Sequence, residues 1–134
     1  RWSRGLGDVY KRQALGKAYL SGLPDDLIAE KIESMVLLPK TANTIVDKVI
    51  LFKEIKKAKA RQFAMSEEEY LPGLITISAP LFDPLTGKGV GAVCFDFSVL
   101  QHSANDVKTK YAGMIRETAR KLSELLPPDK TRRQ

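Results

Sequence analysis

Cysteine and histidine are nearly absent from this chain: its 134 residues include one of each, Cys94 and His102. A single cysteine excludes an internal disulfide and a zinc site built from cysteines, and a single histidine excludes a metal centre built from several histidines. Long hydrophobic runs are also missing, since no uninterrupted apolar run exceeds four residues, whereas a membrane-spanning helix needs about 20. No secretory signal is evident at the start. These absences predict a reduced, cytoplasmic domain without membrane, metal or cofactor.

The remaining composition is typical of one folded domain. Apolar residues make up 43% of the chain and charged residues 28%, and the length suffices for a single hydrophobic core. The net charge of +6 lies mainly at the two ends: residues 1–13 contribute +3 and residues 129–134 contribute +2. The interior is therefore close to neutral, and the basic excess is weak evidence for nucleic-acid binding.

The two ends differ from the interior in pattern as well. Residues 1–13 have neither helical nor strand periodicity and resemble translated adapter sequence; an ordinary flexible extension is the alternative. We expect 1–13 to be a non-native or disordered extension, 14–128 to be the domain, and 129–134 to be a disordered basic tail. The native domain is expected to start upstream of residue 14, with material not present here.

Hydrophobic periodicity predicts three helices in the first half of the domain. The first covers residues 14–20, and the second begins near Asp25, which we expect to cap it. A capping box at residues 44–47 predicts the start of the third helix, with Val49, Ile50 and Ile55 on its buried side.

The period then changes from 3.6 to 2. A short strand is predicted at 63–65, a longer one at 74–82, and a returning strand at 90–97 after a turn. A long final helix is predicted at 105–126. This order predicts an α+β fold in which an antiparallel sheet with a central hairpin packs against helices.

The two hairpin strands have two different faces. Large apolar side chains alternate onto one face, which should meet the helices: Ile75, Ile77, Ala79, Leu81, Gly91, Val93, Phe95 and Phe97. The other face carries small side chains, several of them polar: Thr76, Ser78, Pro80, Val90, Ala92, Cys94 and Asp96. Small side chains leave room for a small polar ligand, or for a covering helix or second layer of strands. Alternation alone leaves both interpretations open.

Five segments in succession are similar to one known family. They are Ala-Leu-Gly-Lys-Ala-Tyr-Leu at 14–20 with Leu-Pro at 23–24, Thr-Ile-Val-Asp at 44–47, Glu-Glu-Tyr with Gly-Leu at 68–74, Ile-Ser-Ala-Pro-Leu-Phe-Asp at 77–83, and Gly with Val-Gly-Ala-Val at 87–93. Together they resemble the effector-binding domain of IclR-type transcriptional regulators, over residues 14 to about 126. The resemblance implies a GAF-like domain with an effector pocket on one side of its sheet. It also implies a DNA-binding winged helix-turn-helix before the domain, and homo-oligomers of the full-length protein; that module and the domain's opening hairpin are absent here.

The resemblance further implies where an effector would bind. Pockets of the family hold small organic acids, and the backbone N–H groups of Leu15 and Gly16 would suit a carboxylate at the positive end of the first helix. The remaining positions that we expect to bind the ligand are Ser66, Thr76, Ser78, Cys94 and Asp96. Asp96 departs from the family pattern. It indicates a hydroxylated ligand, a pocket that takes nothing acidic, or an aspartate exposed to solvent at the strand end. Gln62 also departs from the family, which has a glycine there, and this puts a left-handed helix end in doubt.

Three other patterns have simpler interpretations. The basic cluster between Lys53 and Arg61 is either a solvated helix face or a phosphate-binding patch. Residues 67–69, three glutamates, predict a solvated acidic turn in preference to metal ligands. Cys94 and His102 could form a nucleophile pair, but no motif supplies an orienting acid. We therefore expect a ligand-sensing domain and no enzyme; a GAF-like interaction or oligomerisation domain without a ligand is the alternative.

Overall fold

The structure is a computed structural model, and it describes residues 14–37, 42–69 and 71–127. The expectations for residues 1–13 and 129–134 lie outside this part of the chain. The described helices are α1 (Ala14–Ser21), α2 (Asp25–Glu33), α3 (Lys48–Arg61) and α4 (Ala104–Leu125), and the strands are β1 (Ala64–Glu67), β2 (Leu74–Phe82) and β3 (Gly89–Ser98).

The three strands form one antiparallel sheet with β2 in the centre. Its register sets Thr76 between Ser66 of β1 and Asp96 of β3, and Ser78 between Ala64 and Cys94. The α+β prediction is confirmed, and β2 has the predicted bounds. β3 is one residue longer at each end than predicted, while β1 begins one residue later and ends two later.

The large apolar face of the hairpin packs against α4, as its alternation predicts. The core on this side consists of Phe63, Ile75, Ile77, Ala79, Val107, Ile115 and Ala119. Ile75, Ile77 and Ile115 are fully buried, and each contributes about 1.5–3 kcal/mol through burial of its side chain. α4 is therefore held to the sheet mainly by hydrophobic contact.

Helix α1 covers the middle of the opposite face. Its Ala18 packs in one cluster with Ala58 of α3 and Ala64 of β1, and Ala92 of β3 lies against them. Alanine side chains on both sides allow the helix backbone to approach the sheet closely. Of the two interpretations that the alternation left open, a covering helix is the one found above Ser78, which is fully buried.

The register of α3 corrects one prediction. The side chains of Val49 and Ile50 are 63% and 51% exposed, not buried. Asp47 is the N-cap and accepts hydrogen bonds from the backbone N–H groups of both residues. This start turns Leu51 and Ile55, four residues apart, into a second core with α1 and α2.

The other helix ends also differ from prediction. Thr44 does not cap α3, because its hydroxyl donates to the carbonyl of Glu69 at 2.6 Å. Asp25 does not cap α2: Pro24 holds the N-cap position, and the Asp25 carboxylate pairs with Lys56 and Lys59. Gln62 does adopt the left-handed conformation, with φ of 70°, and its N–H bonds to the carbonyl of Ala58. The left-handed end of α3 is therefore present even though Gln62 replaces the glycine.

Candidate functional site

Five of the seven residues expected to bind a ligand lie in two neighbouring rows on one face of the sheet. Ser66, Thr76 and Asp96 form the first row, which we name the Thr76 row. Ala64, Ser78 and Cys94 form the second, the Ser78 row.

The remaining two predicted residues, Leu15 and Gly16, lie near the start of α1, and packing contacts orient that helix. Its C-terminal end meets the far end of the hairpin, because a Cβ atom at Gly22 would lie 3.4 Å from Pro80 Cβ and 3.4 Å from Gly89 Cα. Ala18 packs against Ala64 of the Ser78 row. Ala14 precedes Ala18 by four residues, which span about 6 Å of helix. The Thr76 row lies two strand residues, about 7 Å, from the Ser78 row. The first turn of α1 therefore lies toward the Thr76 row.

The Thr76 row is polar and has one exposed end. Thr76 Oγ1 donates a hydrogen bond to Asp96 Oδ1 at 2.7 Å. Ser66 and Thr76 are buried, whereas Asp96 is exposed. Because the threonine proton is used on the carboxylate, the Thr76–Asp96 pair presents mainly acceptor oxygens. Such a pair suits a ligand hydroxyl or amine better than a ligand carboxylate.

The Ser78 row offers less to a ligand. The Ser78 hydroxyl donates to the carbonyl of Val93 at 2.8 Å, and its full burial leaves no surface for contact. Cys94 is half-buried. Burial raises the pKa of its thiol, and the negative charge of Asp96 raises it further, so the thiol is neutral near neutral pH. Ser78 therefore has a structural role, while Cys94 borders the Thr76 row.

Cys94 and His102 do not form a nucleophile pair. Cys94 lies on the face covered by α1, opposite Ser78. The His102 ring packs edge-on against Phe97, with ring centroids 5.0 Å apart, and lies 6.5 Å from the Tyr111 ring of α4. Because Phe97 belongs to the face that meets α4, the two side chains are on opposite sides of the sheet.

A buried ion pair that was not predicted from the sequence lies beside the Thr76 row. Lys17 is 1% exposed, and its Nζ donates to the Met65 carbonyl at 2.8 Å and to Glu69 Oε1 at 3.0 Å. Burial raises the pKa of Glu69, an effect that the charge of Lys17 only partly offsets. The pair connects α1 to the β1–β2 loop. A single lysine within the short, otherwise uncharged helix Ala14–Ser21 was the available signal.

The glutamate run is consequently not a uniform solvated turn. Glu67 is exposed as expected, but Glu69 is engaged by Lys17. Glu68 has a positive φ of 55°, and its carboxylate accepts the N–H of Gly73 at 2.8 Å. Within residues 14–37, 42–69 and 71–127, no group of three His, Cys, Asp or Glu side chains is placed to hold a metal ion. No helix in this part of the chain is long and apolar enough to cross a membrane.

The residues of the predicted site do not line a large cleft that the described residues form elsewhere. That cleft, of about 1210 Å³, lies between α4, the α1–α2 turn and the far end of β2. None of the seven predicted residues borders it. The Thr76 row is the candidate site because hydrogen-bonding groups converge there.

Comparison with known proteins gives consistent matches. The family model described as bacterial transcriptional regulator IclR C-terminal matches residues 8–124. The transcriptional repressor AllR of Klebsiella pneumoniae is 29% identical over 114 residues, which cover 83% of this chain and 40% of AllR. The chain thus spans less than half of that relative's length.

Two solved structures have the same fold. The Thermotoga maritima IclR structure is 28% identical with a TM-score of 0.78, and the match covers 89% of this chain and 47% of that one. The inducer-binding domain of PobR from Acinetobacter, a double mutant in complex with 3-hydroxybenzoic acid, has a TM-score of 0.79 at 22% identity, covering 91% of this chain and 71% of that one. At that identity the second match is evidence for the fold alone.

Proposed function

This chain belongs to the family of bacterial IclR transcriptional regulators, through its C-terminal domain, and from that premise we propose that it senses a small organic effector. The relatives it matches are transcriptional regulators. In a longer protein, DNA would be contacted by an N-terminal winged helix-turn-helix, in the cytoplasm and within a homo-oligomer. The effector would act by linkage: it binds one arrangement of the protein better than another and so changes the affinity for DNA.

The observation that carries the proposal is the hydrogen-bonded pair of Thr76 and Asp96 beside the first turn of α1. The N-terminal end of a helix favours an anion, and Leu15 and Gly16 lie in the first described turn of α1. The exposed carboxylate of Asp96 favours a hydroxyl donor. A small hydroxylated organic acid satisfies both ends, with its carboxylate toward Leu15 and Gly16 and its hydroxyl toward Asp96.

The PobR complex supplies a probe of this chemical class. The molecule in its complex, 3-hydroxybenzoic acid, carries a carboxylate and a hydroxyl on one small ring. Ser66 and Cys94 would then contact the body of the ligand from either side of Thr76. Ser78, which α1 covers, would have a structural role beside the site and would not contact the ligand.

One observation favours a second function. Helix α1 already covers the Ser78 row, so the whole face could be filled by protein. In that case the chain would be a GAF-like interaction or oligomerisation domain that binds no effector.

A ligand screen separates the two. We expect hydroxylated acids, among them 3-hydroxybenzoate, to raise the melting temperature of the chain at millimolar concentration, since a ligand at 100 times its Kd stabilises by about 2.7 kcal/mol. Asp96→Asn should weaken binding of hydroxybenzoate about tenfold, the loss of roughly one charge-assisted hydrogen bond, while changing the affinity for benzoate little. Asp106→Asn, an exposed aspartate on α4, is the matched control. If no acid changes the melting temperature, the interaction-domain function replaces the sensor.

A further inference from the structure

The cleft between α4, the α1–α2 turn and the far end of β2 is separate from the Thr76 row. β1 pairs with β2 only as far as Ser78, so the last four residues of β2 have no strand on that side among the described residues. The cleft opens along this edge. Most of its walls are apolar, formed by Leu23, Leu27, Ala58, Ala79, Pro80, Phe82 and Ala119.

The exposed edge of β2 is closed to another strand. The even-numbered residues of β2 direct their backbone N–H and C=O groups toward β1, because the Glu68 N–H bonds to the Leu74 carbonyl. Beyond Ser78 these are Pro80, which has no N–H, and Phe82, whose N–H already donates to Ser123 Oγ at 3.0 Å. An incoming strand would find no free donor here. The occupant of the cleft is therefore not an extended peptide added to the sheet.

Two arginines lie close together near the cleft, which Arg116 lines and Arg61 does not. The guanidinium carbons of Arg61 and Arg116 lie 4.2 Å and 5.5 Å from the centroid of the Phe63 ring. Arg116 donates to the Arg61 carbonyl, and Arg61 Nε donates to the Phe63 carbonyl. Among the described residues, no carboxylate lies within 4.0 Å of either guanidinium.

Burial makes the charge of Arg61 costly: it lowers the pKa of Arg61, even though the more distant Glu54 acts in the opposite direction. The side chain of Arg116 is half-buried. A partly desolvated guanidinium gains most from an anion that it can bind through two parallel hydrogen bonds. Arg116 also lines the cleft, so an anion held there would lie at the edge of the apolar walls.

Most of the other charged groups around the cleft are already paired. Arg120 binds both Glu117 and Glu124, and Lys59 binds Asp25. The Asp83 carboxylate accepts the N–H groups of Leu85 and Thr86 within the β2–β3 turn. Lys88 also lines the cleft, but its side chain is exposed to solvent. Arg116 is thus the cation of the cleft best placed to receive an external anion.

We propose that this cleft is a second binding site, for a monocarboxylate that carries an apolar chain. Its carboxylate binds the guanidinium of Arg116, with Arg61 adding positive charge, and its chain lies against the wall formed by Leu23, Leu27 and Phe82. Inorganic phosphate matches the cation but leaves these walls in water. A neutral apolar molecule matches the walls but leaves Arg116 without an anion.

Isothermal titration calorimetry of the whole chain with octanoate tests this site. Octanoate should bind at least about tenfold more tightly than acetate or 1-octanol, because only octanoate supplies both the charge and the chain. Arg116→Gln should weaken octanoate binding about tenfold or more, the effect of losing a bidentate charged contact. Arg120→Gln removes a cation from the same helix that is already neutralised, so it should change the octanoate Kd less than about twofold.

Further measurements distinguish binding in the cleft from folding defects and from binding at the Thr76 row. Arg116→Lys keeps the charge and the packing against Phe63 but loses the bidentate geometry, and it should bind octanoate with intermediate affinity. Octanoate should leave the rate of Cys94 alkylation unchanged, which separates this site from the proposed effector site beside Cys94. Any of three results would overturn the proposal. Octanoate and 1-octanol could bind equally well, or Arg116→Gln and Arg120→Gln could lose equal affinity for octanoate. In the third, the chain forms a dimer that Arg116→Gln dissociates, and octanoate does not bind.

Discussion

At the scale of single residues, the pair of Lys17 and Glu69 shows which of two opposing electrostatic effects prevails. The lysine attracts the carboxylate at 3.0 Å, yet the pKa of Glu69 is raised because burial outweighs that attraction. Removing a carboxylate from water costs more than one ion pair returns. The pair therefore positions α1 and the β1–β2 loop at some expense in stability when Glu69 is ionised.

Glu69→Gln should consequently change how stability depends on pH. Below the usual glutamate pKa of 4.5, Glu69 is protonated in both the folded and the unfolded chain. As the pH rises, the unfolded chain ionises first, so the contribution of Glu69 to stability is lost up to its raised folded pKa. Urea unfolding between about pH 4 and 7 should show the variant gaining stability relative to the wild type as the pH increases. Glu67→Gln, at an exposed position, should parallel the wild type, and a parallel profile for Glu69→Gln would contradict the dominance of burial.

The thiol of Cys94 offers a second measurement at this scale. Asp96 contributes to its raised pKa, after burial. Asp96→Asn removes that negative charge, so the pKa of Cys94 should fall and more thiolate should be present at about pH 8. Alkylation by iodoacetamide should be faster in Asp96→Asn than in the wild type and unchanged in Asp106→Asn. An equal rate in all three proteins would show that Asp96 does not act on the thiol.

At the scale of helices and strands, the contact of the α1–α2 turn with β3 depends on two glycines. A Cβ atom at Gly89 would lie 2.7 Å from the carbonyl oxygen of Gly22, closer than real contacts allow. The atoms of Gly22 nearest this Cβ belong to the backbone. The α1–α2 turn would therefore have to move to accommodate a side chain at residue 89. Gly113 of α4 is free of this constraint: beyond the helix's own backbone, a Cβ atom there would meet no described atom within 4 Å.

The two positions Gly89 and Gly113 should therefore respond oppositely to alanine. Gly89→Ala should destabilise the domain by about 1–3 kcal/mol, the usual cost of forcing atoms into a packed contact. Gly113→Ala should stabilise it by about 0.5–1 kcal/mol, because alanine is the better helix former. Thermal or urea unfolding of both variants provides the measurement. A Gly89→Ala variant as stable as the wild type would mean that the turn is not packed against β3 as described.

Sequence periodicity predicted the strands better than the helix registers, for a physical reason. In β2 the alternation of Ile75, Thr76 and Ile77 is compatible with one inward face, so the strand and its orientation follow from the residues. The run of four apolar residues from Val49 to Phe52 is compatible with more than one helix register. Asp47, as N-cap, selects the register that buries Leu51.

The candidate site was predictable to a similar, partial extent. Alternation identified the shared face of Thr76, Cys94 and Asp96, because strand pairing brings alternate residues of neighbouring strands together. It could not show that α1 covers Ser78 or that Lys17 binds Glu69. Both depend on how a helix packs across strands that are distant from it in sequence, which local periodicity does not encode.

At the scale of the whole molecule, the sheet separates two regions with different chemistry. On one side, α4 and the large apolar face form a hydrophobic core. On the other, α1 lies across small polar residues and leaves the Thr76 row at its first turn. The cleft with Arg116 lies at the far end of β2. A ligand that stabilises the chain could thus occupy the Thr76 row or the cleft, and a melting temperature alone does not distinguish them.

Alkylation of Cys94 in the presence of a stabilising hydroxylated acid distinguishes them most directly. The chain has one cysteine, so every label reports on the strand position near Asp96. With 3-hydroxybenzoate, or whichever hydroxylated acid raises the melting temperature most, alkylation should slow as the acid covers the Thr76 row, and octanoate should have no such effect. An acid that stabilises the chain while Cys94 reacts at its unliganded rate would place the effector elsewhere and contradict the account.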